Sequence, residues 1–377
     1  MKKSILFITT GGTIEGIVAK NLKEGEEILS SEDFVKYLST TIASIKNVHG
    51  IDVNITLNQM CQKDSSNIVP SDWIQICEII KSEYDKYDGF IIAHGTNTLG
   101  YTTSAVSFAF PNIAKPVIFT GSQVPAGMPG SDAIMNLENA LRLAAIDLDE
   151  YKYGSRSLMG VFAVFGSHII TGTRVKKDTE FDYDAFKSFS VGSIGRIGRI
   201  IDFDKINLQK HHSYLSSTSE DYYLAKTSED LICENYFDYR IVSLTEFPGM
   251  DYKIFETLVN RLEVKGFILR AFGAGDASDD TLLPAFEYLK GREIPIVVTT
   301  QAPNGNSNFQ VNDPGKKLKD DDLAIPAHDM SIEAITTKLA WLLAAKKNGK
   351  IRDYNDLKKK MTSDMRGEIN VIREVKM

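Results

Sequence analysis

The sequence predicts an α/β protein built on a mostly parallel sheet, and three observations predict it. Short apolar runs rich in β-branched and aromatic residues alternate with amphipathic stretches of helical period. Several of those runs end directly on glycine and threonine, at the strand ends where open α/β sheets hold their ligands. A single polar interval divides the alternation into two series.

Taken in order, "SILFIT" is a buried strand that stops at the Gly11-Gly12 turn, and "DVNITL" is a second strand. "PSDWIQICEIIKSEYDKY" has the spacing of an amphipathic helix, with Pro70 near its start. "GFIIAH", "PVIFTG" and "MGVFAVF" follow as strands, so the pattern is βαβ and the sheet is covered by helices. Around 205 to 236 the chain turns polar. A second alternation then begins with "RIVSL", "KGFILRAF" and "PIVVTT" and closes with two helical segments. The reading places one domain over 1–205, a linker over 206–236 and a second domain over 237–377, with no internal repeat or low-complexity tract.

Composition excludes several classes. With 377 residues, 43% hydrophobic and 25% charged, the chain is long enough for two cores. The net charge of -7 comes from intermixed signs, with no basic stripe for a phosphate backbone, so no nucleic acid partner is expected. Cys61, Cys77 and Cys233 have no CxxC spacing and read as core fillers of a reducing compartment. The histidines lack ligand spacing, and His211 with His212 reads as solvated loop, so no metal is expected. The apolar run before Gly11 is too brief for a signal peptide, and no run approaches a membrane span. The expected protein is cytoplasmic, starts mature and does not enter a membrane.

Four constellations carry chemistry. Thr10-Gly11-Gly12-Thr13 follows the first strand but matches neither phosphate-binding glycine pattern. "AHGTNTLGYTTSAVSF" places Thr96 at the same sheet edge as Thr13. Asp64-Ser65-Ser66 precede a helix, where short polar residues routinely serve as caps. In "GTRVKKDTEFDYD", either Lys176 or Lys177 is a candidate base, and spacing does not choose between them. A threonine hydroxyl is a poor nucleophile without a base, and a desolvated lysine serves as one through a relaying hydroxyl. Backbone N–H groups at a glycine turn stabilise a developing oxyanion by about 3 kcal/mol or more. Acyl transfer on an amide is the reaction class that such a set suits.

The chain resembles the L-asparaginases, in particular their cytoplasmic bacterial type I branch, over nearly its whole length. "TTGGTIEG" and "HGTNTLGYTTSAVSF" look like the two family signatures. "DSSNIVPSDW", "KPVIFTGSQVP", "GTRVKK", "ILRAFGAGD", "DMSIEAITTKL" and "MRGEIN" fall in the expected order. The resemblance implies a larger amino-terminal flavodoxin-like domain and a smaller carboxy-terminal α/β domain. It also implies homodimers or homotetramers with active sites between subunits, a small amide substrate, and neither metal nor organic cofactor. It assigns Thr13 as nucleophile, Thr96 and Lys177 as proton relay, and Ser65, with Asp64 and Ser66, as the grip on the substrate's α-carboxylate and amine.

Three departures from the family pattern stand out. Asn97 replaces the aspartate of "HGTDT" that pairs with the substrate ammonium and orients the lysine. Asp276 replaces an asparagine that the neighbouring subunit contributes, so the carboxylate is a candidate to have changed sides. The loop "KNLKEGEEILSS" lacks the catalytic tyrosine, with Glu26 nearest in register. The effector-site cysteine is also replaced, Ala302 following Gln301, while Arg270 is kept. The expected activity is L-asparagine amidohydrolysis through an acyl-threonine. The alternatives are an ω-amidase acting on amides that lack a free α-amine, and a catalytically weak ligand sensor. A tRNA-dependent amidotransferase component is a further reading within the superfamily, but it is not the expected one, because such components carry an extra amino-terminal domain and the first signature here starts at Thr10.

Overall fold

The computed structural model describes residues 1–11, 31–148, 158–216, 230–303, 305–310 and 312–370. Strand β1 (Lys2–Thr9) is buried on both faces over its second half, as its unbroken apolar run requires in a parallel sheet. It is followed by α1 (Ser31–His49), β2 (Asp52–Gln59), α2 (Pro70–Glu83), β3 (Gly89–Ala93), α3 (Leu99–Ala109), β4 (Pro116–Thr120) and α4 (Ala133–Ala145). Then come β5 (Gly160–Phe165), β6 (His168–Thr171), the hairpin β7 (Val175–Lys177) and β8 (Phe186–Ser188), β9 (Gly195–Ile197), β10 (Ile201–Phe203) and α5 (Lys205–Ser216). The sheet order is β10-β9-β6-β5-β4-β3-β1-β2, with β7 and β8 forming a separate two-stranded ribbon.

The strands β2-β1-β3-β4-β5 are parallel, the flavodoxin-like order. β6, β9 and β10 extend the sheet in antiparallel fashion. Ile5 and Phe7 of β1 share one core cluster with Leu38 and Ile45 of α1 and with Leu137 and Leu141 of α4. The buried side chains of α2 and α3 lie outside that cluster, on the other face, toward which Leu6 and Ile8 alternate. This partition fixes handedness. The units β1-α1-β2, β2-α2-β3 and β3-α3-β4 share one hand, whereas β4-α4-β5 steps the same way as β3-α3-β4 with its helix on the opposite face. Right-handed crossovers are nearly universal, so β4-α4-β5 is the left-handed exception. Its 121–132 loop is pinned by the buried Asp132, whose carboxylate accepts the backbone N–H groups of Gln123 and Val124.

Met1–Ser188 and Gly192–Asn235 make one compact unit; Phe189–Val191 and Tyr236–Met377 make the second. Helix α5 therefore occupies the first part of the segment expected as linker and belongs to the first unit. His211, expected in a solvated loop, sits on this helix with its ring 4.9 Å from that of Phe162 and its Nε2 3.2 Å from the Met159 carbonyl. The polar composition concealed one face of a docked helix. Of the cysteines, only Cys77 is fully buried, its thiol pushed up by burial.

The second unit carries β11 (Ile241–Thr245), α6 (Lys253–Leu262), β12 (Gly266–Ala271), α7 (Asp279–Lys290), β13 (Ile296–Thr300), α8 (Asp313–Asp320), β14 (Ile325–Pro326), α9 (Ile332–Lys347) and α10 (Tyr354–Thr362). Its four strands pair in chain order, all parallel. Phe255, Phe267, Phe286 and Val298 anchor its core. Ser331 caps α9 by accepting the Ala334 N–H at 3.1 Å. Within α9 the fully buried Lys338 donates to Glu368 Oε1 at 2.5 Å and to the Met361 and Ser363 carbonyls, tying the "MRGEIN" segment to the helix. Among the described residues, no helix is long and apolar enough to cross a membrane, and no group of three His, Cys, Asp or Glu could hold a metal.

Candidate active site

The strand order reverses at β1, which lies between β2 and β3. The crevice outside the carboxyl ends of β1 and β3 is thus the topological switch point, where a doubly wound sheet accepts its ligand. Thr9 pairs with Ala93, so the two strands end level. Thr10 closes this edge, its N–H and its hydroxyl both donating to the Ala93 carbonyl at 3.1 and 3.2 Å. Gly11 takes φ +100°, and a Cβ there would lie 2.3 Å from the Lys63 backbone nitrogen. Glycine is required by conformation and by space. Thr13 and Glu26 lie outside the described residues.

The loop after β2 meets the loop after β3. Asp64 caps the short turn Ser65–Asn67 by accepting the Ser66 N–H at 2.8 Å, and this hydrogen bond holds its carboxyl below the usual range. The buried Ser65 accepts the Asn97 N–H at 3.2 Å, and its carbonyl accepts the Thr98 hydroxyl at 2.7 Å. Asn97 Nδ2 donates to Ser66 Oγ at 3.0 Å. Gly95 permits this approach, because a Cβ there would stand 2.7 Å from both Cβ and Oγ of Ser65. Asp64, Ser65, Ser66, Thr96 and Asn97 are therefore brought together.

His94, which the sequence reading did not single out, organises the second loop. Its Nδ1 lies 2.7 Å from the Gly95 carbonyl, which can only accept, so Nδ1 carries the proton and Nε2 accepts from the Thr102 hydroxyl at 2.9 Å. Burial lowers its pKa to about 4, so the ring is neutral. The helix that follows, α3, is buried along nearly all its length. Thr103 and Ser104 donate to the Gly172 carbonyl, and a Cβ on Gly172 would lie 2.3 Å from Ser107 Oγ. This close approach delivers the chain from Gly172 into β7 beside the amino end of α3.

β7 brings in the lysine. Adjacent residues of a strand point to opposite faces, so Lys176 and Lys177 diverge, and Lys177 takes the face of the Thr96 loop. Its Nζ donates to Thr96 Oγ1 at 3.0 Å, Asn97 Oδ1 at 3.1 Å and Glu180 Oε2 at 3.0 Å. An ammonium has three N–H donors, and each has a partner. In this charged form the lysine donates to Thr96; as a neutral amine, with the N–H that faces Thr96 given up, its lone pair would face the Thr96 hydroxyl and could accept from it. Glu180 also escaped the sequence reading; a glutamate on a polar loop carries no signal apart from its three-residue distance from Lys177. Asp276 lies in the second unit, where Oδ2 accepts the Asn312 amide at 2.6 Å and the Ala274 N–H at 3.4 Å.

Two family profiles match the chain, "Asparaginase, N-terminal" over residues 4–212 and "Glutaminase/Asparaginase C-terminal domain" over residues 240–354. The chain belongs to the asparaginase family. It is 31% identical to L-asparaginase 1 of Escherichia coli (strain K12) over 371 residues, covering 98% of each chain. The solved thermostable L-asparaginase of Thermococcus kodakarensis superimposes with a TM-score of 0.76 at 29% identity, over 97% of this chain and 99% of that one. A component of the glutamyl-tRNA(Gln) amidotransferase of Saccharolobus solfataricus is 27% identical over 373 residues, 98% of this chain and 77% of that relative. This asparaginase is accordingly an amidohydrolase, and its α/β fold with a smaller second α/β domain is that of its relatives.

Proposed function

We propose that this asparaginase hydrolyses free L-asparagine to L-aspartate and ammonia through an acyl-threonine intermediate. The observation that carries the reading is Lys177 Nζ at 3.0 Å from Thr96 Oγ1, at the switch-point edge just beyond which Thr13 follows in sequence. In the first half-reaction Thr13 Oγ bonds to the side-chain amide carbon. Its proton passes through Thr96 to the neutral amine form of Lys177, or to Glu26, and from there to the departing nitrogen. The C–N bond breaks, ammonia leaves, and an ester remains on Thr13. Water then attacks that ester, aspartate departs and the threonine regains its proton, so the cycle consumes one water and no cofactor.

Asp64, Ser65, Ser66 and Asn97 are assigned to the substrate's α-carboxylate and amine. Asp276, from a neighbouring subunit of a homodimer or homotetramer, is the candidate carboxylate for the ammonium. The test is ammonia release by the purified chain across L-asparagine, L-glutamine, D-asparagine and succinamate, with L-asparagine expected to be turned over best. The neutral side chain of Asn97 favours a second reading, an ω-amidase, since an ammonium buried without a carboxylate is strongly disfavoured. Faster turnover of succinamate than of asparagine would establish that reading instead. No turnover of any of the four would leave a ligand sensor. A cytoplasmic setting accords with three cysteines held as thiols.

A further inference from the structure

We propose that Glu180 is the positioning residue for Lys177, supplying within the same chain the negative charge that Asn97 does not carry. The inference rests on the assignment of Lys177 as base. Of the three acceptors around Nζ, Thr96 Oγ1 and Asn97 Oδ1 are neutral, and only Glu180 Oε2, at 3.0 Å, is charged. Three fixed acceptors define the rotation of the ammonium tripod. With the carboxylate in place, the corner of Nζ that faces Thr96 is held there, an N–H in the ammonium and the lone pair in the amine that acts as base; without it, two neutral contacts must hold a long side chain with four rotatable bonds.

The carboxylate is anchored rather than carried on a free loop. The Glu180 carbonyl accepts Gln123 Nε2 at 2.9 Å, and the Gln123 backbone N–H is itself held by the buried Asp132. On the other side of the turn, the Tyr183 hydroxyl donates to the Gly130 carbonyl at 2.6 Å. Asp178 N–H closes the base of the turn on the Ala185 carbonyl at 2.8 Å. The 178–185 turn is thus clamped to the loop of the left-handed crossover, and the glutamate side chain folds back three residues onto the lysine. The Lys177 side chain is 16% exposed and that of Glu180 is 69% exposed. A pair this open contributes little to folding, which separates its effect on the reaction from any effect on stability.

The experiment compares the full chain with Glu180→Gln, Asn97→Asp, the double variant, Asp276→Asn and Lys177→Met, measuring kcat and KM for L-asparagine and the urea midpoint. Glu180→Gln is expected to lower kcat by about tenfold to hundredfold, the effect of a small misplacement of a catalytic group. KM and the urea midpoint should stay near wild type. Asn97→Asp in that background restores most of kcat, because it returns a charge to the same tripod; alone it gives no gain. Wild-type kcat in Glu180→Gln beside an inactive Lys177→Met overturns the positioning role and leaves the lysine assignment standing. A raised KM with unchanged kcat overturns it in favour of substrate binding by Glu180. A double variant no better than Glu180→Gln, with kcat lost in Asp276→Asn, moves the missing charge to the neighbouring subunit. Full activity in Lys177→Met removes the underlying assignment instead.

Discussion

Lys177 Nζ and Thr96 Oγ1 lie 3.0 Å apart although 81 positions separate them in the chain. The contact is assembled by two independent packings, the parallel pairing that sets the end of β3 and the seating of Gly172 against α3.

Thr13→Ala should abolish ammonia release, because it removes the proposed nucleophile, and an unchanged urea midpoint should show that the protein remains folded. Lys177→Met should be comparably inactive, since members of one relay act as a unit. Lys176→Met, on the opposite face of β7, should keep most of kcat. Equal losses in the two lysine variants would contradict the alternation argument.

Gly95→Ala tests the seam between the two loops. A methyl group 2.7 Å from Ser65 Cβ and Oγ must push the 64–66 turn away from Asn97. Overpacking of this kind destabilises by about 1–3 kcal/mol. The KM for asparagine should rise more than kcat falls, if this turn grips the substrate. Steady-state kinetics and a urea titration check both parts.

Much of this arrangement was legible in the sequence, for identifiable reasons. β1 declared itself because a strand buried on both faces must be continuously apolar. The loops around Gly11 and Gly95 were visible because each backbone passes too close to a neighbour for a side chain. What stayed hidden depended on direction and on partners. Lys176 and Lys177 are chemically identical, and only the pleat of β7 separates them. Glu180 resembles any solvated loop carboxylate until its turn is clamped by Gln123 and Tyr183. His211 was misread because half of α5 is polar, and the left-handed crossover has no local sequence signal at all.

Stability should fall in mild acid. Burial lowers the pKa of His94 from 6.5 to about 4, so between these values the unfolded chain binds a proton that the folded chain does not. The stabilisation is present above pH 6.5 and is lost as pH falls toward 4, amounting to about 3 kcal/mol at most. His94→Gln should show a shallower decline in urea midpoint from pH 7 to pH 5. An identical slope would remove His94 as the cause.

The Lys338–Glu368 pair predicts a large effect in the second unit. Lys338→Met leaves a fully buried carboxylate without its cation, a change that destabilises by about 3–5 kcal/mol. Adding Glu368→Gln should recover part of that loss. Thermal and urea unfolding of the three proteins provides the comparison, with additive losses counting against a coupled pair.

The central place of β1 also has a consequence for biosynthesis. Ile5 pairs with Ile55 on one side and Gly89 on the other, so the ribosome makes this apolar strand roughly eighty residues before its second neighbour exists. Until β3 emerges, Leu6, Phe7 and Ile8 present an unpaired edge in an incomplete chain, the condition under which nascent proteins associate wrongly or engage chaperones. Among the described strands, the one that frames the edge of the candidate site is therefore the one that waits longest for its partners on the ribosome. Chains arrested before β3 should be held by chaperones, and chains arrested just beyond it should be released.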